Sequence, residues 1–418
     1  MTNPYESKAP SGCPAHPESI RLYGPRYQQA PAQLYREMRQ SHGPVVPVLL
    51  EGDIFAWLVI GYRELRYVLS NPLLFARDSR RWNAWEHIPP DWPLMAYISY
   101  QPSMLFTEGA EHQRRAKAIS DALGAADQFD LRTHCESVAD QLIDTFIGTG
   151  RADLMAQYAH PIPLMVVASM FGLSDHETTL LVGDVSATMN GGENAMEAYG
   201  RVQATMHRLL DAKRKRPGHD LPSRLLAHAA GLADDEIIQD LILLMTAGKD
   251  TTANWIGNTL RLMLTDDRFA VTLSGGRSSA GQALNEVLWE DSPSQNSLGR
   301  WAVVDTQLGG QLIRAGDALI LGLAAANADP LVRPDSFGGS GGNHAHMSFG
   351  HGEHGCPHPA PEIAELIAHT AVEVLLDRLP DVILSVAPDA LIWRTSIQQR
   401  GLSALPVKFT PGYPTGRG

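Results

Sequence analysis

The chain has 418 residues, 44% of them hydrophobic and 19% charged, an ordinary globular composition with ample material for a core. No run reaches the roughly 18 consecutive apolar residues of a membrane helix, and residues 1–17 lack the charged-then-apolar layout of a secretory signal, so a cytoplasmic protein with no membrane span is expected. The formal net charge of −12 disfavours nucleic acid as a partner, because phosphate binding needs a basic face. Cys13, Cys135 and Cys356 are widely spaced and odd in number, which argues against a disulfide framework and for a reducing compartment.

Residues 1–20 are polar and rich in Pro and Ser and are expected to form a disordered tail. A helical stretch at 31–40 and strand-like runs at 45–50 and 55–60 predict a small mixed lobe. Residues 80–106 are crowded with rings, Trp82, Trp85, Trp92, Tyr97, Tyr100 and Phe106, which either anchor an irregular loop or stack on a ring-shaped substrate. From 111 to 264 apolar residues recur at helical spacing, as at Val138, Leu142, Ile143 and Phe146, and predict a helical body. The run Lys213-Arg-Lys-Arg216 reads as a solvated helix end or as a docking patch for an acidic protein. Strands return at 316–321, followed by a Gly-rich stretch, a long helix at 361–378 and a strand-like tail at 405–409. With no repeat or long linker, the pattern predicts a single domain over residues 1–418, mainly α with small β-sheets (α+β).

Two segments carry chemistry. Leu241-Ile-Leu-Leu-Met-Thr-Ala-Gly-Lys-Asp-Thr-Thr252 is an apolar helix interrupted by small and hydroxyl residues, which weaken its ladder and predict a local kink with room for water or oxygen. An acid beside an alcohol there suits proton relay into a site that excludes water; the alternative is a core helix whose Asp-Thr pair caps a neighbouring loop. The second segment, Phe349-Gly-His-Gly-Glu-His-Gly-Cys-Pro-His358, is a glycine-punctuated loop leading into a helix. Gly350, Gly352 and Gly355 permit a tight positive-φ backbone around Cys356, where amides and a helix N-terminus can stabilise a thiolate. The cysteine supports three readings: a thiolate ligand to haem iron, a small buried hydrophobe, or a zinc site drawing on His344, His346, His351, His354, Cys356 and His358, whose spacing lacks paired Cys-x-x-Cys clips.

Phe349 through Cys356 matches Phe-Gly-x-Gly-x-His-x-Cys and so resembles the signature of the cytochrome P450 family. The resemblance covers nearly the whole chain and implies the P450 fold, with haem b between the oxygen-side helix and the helix after the cysteine loop. It implies Cys356 as axial ligand and sole metal-binding residue, Phe349 and Gly350 in the loop around the sulfur, and His354, His112 and Arg300 at the haem propionates. Where the family has a basic residue four after the histidine this chain has Ala116, so Arg115 or Lys117 is the expected substitute. Ala247-Gly248-x-Asp250-Thr251-Thr252 is similar to the family's oxygen-binding motif, which implies Ala247 and Gly248 above the iron and Asp250 with Thr251 managing protons.

The chain also departs from the family. His358 stands where a glycine is usual, Pro357, Pro359 and Pro361 come after the cysteine, and Glu286-Val-Leu-Trp289 replaces Glu-x-x-Arg, as in a small actinobacterial-looking branch. Glu286 must then find another donor, become solvated or stay protonated; alternatively the helix simply packs Trp289 inward and exposes Glu286. No arginine of the 327–342 stretch completes the usual network.

By resemblance, 80–106 is the pocket lid, and Trp85, Phe106, Met245, Thr246, Ser396 and Ile397 contact substrate. The chain carries no flavin or iron-sulfur signature, so ferredoxin and ferredoxin reductase are the expected electron donors to a monomer. Soluble bacterial relatives tailor secondary metabolites, which implies hydroxylation or oxidative coupling (C–C or C–N), with aromatic cyclic dipeptides as one substrate class. The alternative is a haem- or zinc-binding protein without turnover.

Overall fold

The computed structural model describes residues 19–29, 31–190, 194–270, 278–333 and 342–415. By contact they form two compact units, Met1–Tyr100 with Asn296–Pro334, and Gln101–Gln295 with Asp335–Gly418.

The first unit is organised on a six-stranded sheet. Its strands lie in the order Ile20–Arg21, Val45–Leu50, Ile54–Val59, Ala318–Leu321, Ser297–Ala302 and Phe75–Ala76. Val45–Leu50 and Ile54–Val59 are nearly continuous apolar runs, the signature of strands buried on both faces. They pair antiparallel from Val45↔Val59 to Leu50↔Ile54, turning at Gly52 (φ 78°) and Asp53 (φ 57°). Helix Pro31–His42 packs Leu34, Tyr35 and Met38 inward, in line with the mixed lobe expected. The tail expectation falls largely outside the described residues, but Ile20 and Arg21 are ordered by parallel pairing with Val48 and Leu49. Trp82 packs edge-on against Trp85 at 5.3 Å and tilted against Trp92 at 5.7 Å, so these rings anchor the irregular segment. Arg77 is buried beside Ser297–Ala302, donates to the carbonyls of Leu298 (2.9 Å) and Gly299 (2.7 Å), and is pushed down to about 10 by burial.

The second unit is helical. We label α1 Gly109–Gly124, α2 Gln128–Phe146, α3 Pro161–Ser169, α4 Asp234–Thr265, α5 Ser278–Glu290 and α6 Ala360–Arg378. Helix α4, 32 residues and about 48 Å long at 1.5 Å per residue, packs against α3, α5 and α6. It starts where it does because Asp234, Asp235 and Glu236 favour a helix N-terminus and Glu236 Oε2 accepts from the Ala233 amide at 2.8 Å. Helix α4 is continuous from Asp234 to Thr265, and within it Thr246 and Thr251 turn their hydroxyls onto carbonyls of the preceding turn, contacts that weaken a helix locally. A short sheet, Ile383–Leu384, Pro406–Lys408 and Arg151–Asp153, brings the C-terminal strand back to this unit. The basic run closes helix Ala195–Lys215: Lys213 pairs with Asp220 at 2.7 Å and Arg214 with Asp234, so both are spent within the chain.

Candidate functional site

The cysteine loop is held by its own backbone. Gly350 N donates to Met347 O (2.8 Å), Gly355 N to Gly352 O (3.0 Å), and Cys356 N to Phe349 O (2.8 Å). Gly350 (φ 73°) and Gly352 (φ 71°) adopt the left-handed conformation expected of them. Gly355 does not; its place is a tight one, where a Cβ would stand 3.2 Å from Gly352 O and 3.3 Å from His351 N. Phe349 packs edge-on against Trp255 of α4 at 5.7 Å, tying the loop to that helix. Cys356 is solvent-accessible, yet protein atoms crowd round it closely enough that burial, with Glu362 adding to it, pushes its thiol up to about 12.

Beside the loop, the rings of His112 and His354 lie 4.0 Å apart, tilted at 45° to one another. His112 spans from Met104 O (2.9 Å from Nδ1) to Glu353 O (3.0 Å from Nε2), locking α1 onto the cysteine loop. Glu353 has one buried carboxylate oxygen, Oε1, with no hydrogen-bond donor among the described residues. His112, Glu353 and His354 offer ligand atoms within 4.8 Å of one another, the one such metal-competent group among the described residues. It does not include Cys356, His344, His346, His351 or His358, so the histidine crowd of the sequence does not converge on an ion. His344 and His346 instead line a cavity of about 310 Å³ with Trp255, Phe349 and Glu362, where burial pushes His346 down to about 4. His358 pairs with Glu362 at 3.0 Å.

Neither expected substitute for the missing basic residue is available. Arg115 is buried and forks onto Asp240 of α4, Nε to Oδ2 at 2.9 Å and Nη2 to Oδ1 at 2.6 Å, while Lys117 is exposed and paired with Asp121 at 2.8 Å. Residue spacing could not show this, because it depends on which face of α1 meets α4. Arg300 lies in the first unit, buried in strand Ser297–Ala302.

Helix α4 is lined by core residues along most of its length but opens in the middle. Ala247 is exposed, and a Cβ on Gly248 would meet nothing within 4 Å. Thr251 Oγ1 donates to Ala247 O at 2.8 Å. Asp250 is 14% exposed, with Lys249 Nζ 3.3 Å and His160 Nδ1 3.8 Å from its Oδ1. Lys249 was legible inside the motif; His160, 90 residues away by its number, was not.

Of the substrate candidates, Met245 is buried on α4 and the Thr246 hydroxyl is spent on Ile242 O at 2.9 Å. Ser396 Oγ accepts from the amides of Gln398 and Gln399 at 3.2 and 3.0 Å, with Ile397 inside that turn. Trp85 belongs to the first unit, its indole N donating to Ser79 O at 2.5 Å; Phe106 is buried in the second.

The altered Glu-x-x-Arg position resolves as a shared replacement. Trp289 is buried and its indole N donates to Asn343 O at 2.8 Å, an acceptor it shares with Asn285 Nδ2 at 3.2 Å. Glu286 is also buried, so the expectation of an exposed carboxylate fails; Arg268 Nη1 stands 3.6 Å from its Oε1. Arg268 was missed because it lies outside α5, on the short helix Asp267–Ala270.

The donor set fits haem: Cys356, the exposed cysteine among the described residues, in a hydrogen-bonded loop, two imidazoles close together beside it, and a helix tied to that loop and opened by small residues. A fold and site of this kind define a haem-dependent oxidoreductase. No protein-family model matches the chain. The cytochrome P450 monooxygenase PikC of Streptomyces venezuelae is 30% identical over 420 residues, covering 97% of this chain and 98% of that one. Among solved structures, CYP154C4 from Streptomyces sp. ATCC 11861 superposes with a TM-score of 0.82 at 26% identity, covering 95% of this chain and 99% of that one. The P450 enzyme CxnD, for C–S bond formation in chuangxinmycin biosynthesis, gives 0.80 at 27% identity, with coverage of 95% and 99%. The chain belongs to the cytochrome P450 family, is a monooxygenase and uses haem b. Among the described residues no helix is long and apolar enough to cross a membrane.

Proposed function

We propose that residues 1–418 act as a single haem-thiolate oxidase that hydroxylates or oxidatively couples (C–C or C–N) a secondary metabolite, with aromatic cyclic dipeptides as the substrate class. The observation that carries the reading is the accessible Cys356 thiol in a hydrogen-bonded glycine loop beside the His112–His354 pair. Support for coupling as well as hydroxylation comes from CxnD, a similar fold described as forming a bond between carbon and sulfur.

Cys356 would hold the iron, with Phe349 and Gly350 shaping the loop, and His354 and Arg300 would meet the propionates, with His112 joining them by exchanging its contact with Glu353 O for a propionate. When bound, the haem supplies activation of O2, and a thiolate ligand favours cleavage of the oxygen–oxygen bond. Ala247 and Gly248 keep bulk away from the open stretch of α4. The Thr251 hydroxyl spends its proton on Ala247 O, so its oxygen can accept a hydrogen bond there, and Asp250 passes protons inward. Trp85, Phe106, Met245, Thr246, Ser396 and Ile397 are the proposed substrate contacts. Ferredoxin and ferredoxin reductase would supply electrons to a cytoplasmic monomer.

The test is spectroscopic and then chemical. The reduced, carbon monoxide-bound protein is expected to show the red-shifted Soret band of thiolate ligation, lost in Cys356→Ser; a histidine-type band in the native protein overturns the reading. A screen of ligands that includes aromatic cyclic dipeptides should displace water from ferric iron, and the product mass separates gain of oxygen from coupling. No spectral response to any cyclic dipeptide removes that substrate class.

A further inference from the structure

The turn ahead of α3 brings a second side chain to Asp250. Met155–Ala159 is a π-helical turn, with His160 N donating to Met155 O at 3.0 Å. Such a turn carries an extra residue and re-aims the side chains beyond it, and it recurs at functional sites. It is fixed on both sides. Asp153 Oδ1 accepts from the amides of Met155 (3.0 Å) and Leu405 (2.8 Å). On α4 position 257 is a glycine, over which Met155 packs so closely that a Cβ there would fall 2.2 Å from its Sδ and push that side chain aside. This close approach leaves His160 Nδ1 3.8 Å from Asp250 Oδ1, about 0.9 Å beyond a normal hydrogen bond. The exposure falls along the pair, 25% for the His160 side chain and 14% for Asp250, so the imidazole stands on the solvent side of the carboxylate.

Lys249 Nζ also touches Asp250 Oδ1, but an ammonium gives up its proton reluctantly near neutrality, whereas an imidazole exchanges one readily there. We propose that His160 is the solvent-side proton donor to Asp250. This rests on the reading of Asp250 as the acid that passes protons inward. In the step, the N–H bond of the imidazolium breaks as an O–H bond forms on the Asp250 carboxylate; the neutral imidazole then takes a proton from water or buffer acid. Each passage of the relay moves one proton from solvent toward Thr251, is repeated for every proton that O2 reduction consumes, and moves no electron.

The groups facing the imidazole are Asp250 and Lys249 on α4, Asp153 on its strand and Arg394 in the C-terminal loop. Burial pushes His160 below its ordinary value; Arg394 and Lys249 push the same way, and Asp250 and Asp153 oppose them. The donor form therefore grows as pH falls through the histidine's own titration, and proton supply should track it.

The experiment uses the holoenzyme with NADPH, ferredoxin and ferredoxin reductase and no organic substrate, measuring O2 consumption against pH for the wild type, His160→Gln, His160→Ala and Asp250→Asn. In parallel, the His160 imidazole is titrated by NMR in the ferric wild type and Asp250→Asn proteins. Asp250→Asn is expected to lower the His160 titration midpoint. His160→Gln should slow O2 reduction roughly tenfold, below the roughly hundredfold or more of an acid that acts on the reacting group itself because His160 acts one step removed, and erase the acid-side limb, with haem content and the carbon monoxide band unchanged. An unmoved midpoint refutes the contact. If Asp250→Asn slows the reaction but both His160 variants keep the wild-type profile, His160 is not the donor and the Asp250 reading stands. If none of the three variants slows it, the Asp250 reading itself falls, and this proposal with it.

Discussion

Changing Arg115 to methionine strands a carboxylate in the core. Asp240 is fully buried on α4, and it accepts two bonds from Arg115 (2.9 and 2.6 Å) and one from the Met104 amide (2.7 Å). Removing one partner of a buried pair costs about 3–5 kcal/mol, a large share of the roughly 5–15 kcal/mol that holds a domain. Arg115→Met/Asp240→Leu removes both charges, and what remains is chiefly the orphaned Met104 amide, about 1–3 kcal/mol. The double variant should therefore be more stable than the single.

The sign with pH comes from Asp240. Burial raises its carboxyl above the ordinary value, outweighing the pull of the Arg115 fork. A carboxyl raised in the folded state contributes stability at low pH that is lost as pH rises through its folded value. Without Arg115 that value rises further, so the penalty in Arg115→Met should be larger at pH 8 than at pH 5. Urea unfolding of the ferric holoenzyme, monitored by tryptophan fluorescence at both pH values, measures this. A single-variant cost under about 1 kcal/mol, or a double variant less stable than the single, would refute the account of the pair.

Trp289→Phe removes the bond to Asn343 O and should cost about 0.5–1.5 kcal/mol with haem retained. Trp289→Arg should also retain haem, because buried Glu286 can pair with a guanidinium three residues on; complete haem loss by the pyridine haemochrome assay would show that the indole is irreplaceable. Gly355→Ala forces a Cβ to 3.2 Å from Gly352 O and should speed haem transfer to apomyoglobin, a rate unchanged from wild type counting against the tight loop. Asp144 is pushed up by burial, but its bonds from Arg378 and Thr415 prevail and hold it below the ordinary carboxylate value. Its contribution to stability is thus present above that ordinary value and lost as pH falls through the lower folded one, so Asp144→Asn should flatten the acid limb of a melting-temperature profile.

The fold was largely legible in local pattern. Apolar runs gave the strands at 45–50 and, one residue late, at 55–60 for the observed 54–59, helical spacing gave α2 and α4, and the resemblance at Phe349 to Cys356 gave the family. What spacing alone could not supply was orientation: Gly355 sits in a close approach to Gly352 O and His351 N and not at a positive φ.

The sequence by itself determined the chemistry on offer, a cysteine among glycines and an acid beside an alcohol, because those depend on residues a few positions apart. Tertiary structure alone decided how charges pair over long separations. It gave Arg115 to Asp240, Arg268 to Glu286, the indole of Trp289 to Asn343, and His160 to the flank of Asp250. Such partners are set by which helix faces meet, and burial then makes each pairing obligatory, since a charge or polar group cut off from water must find its counterpart in the fold.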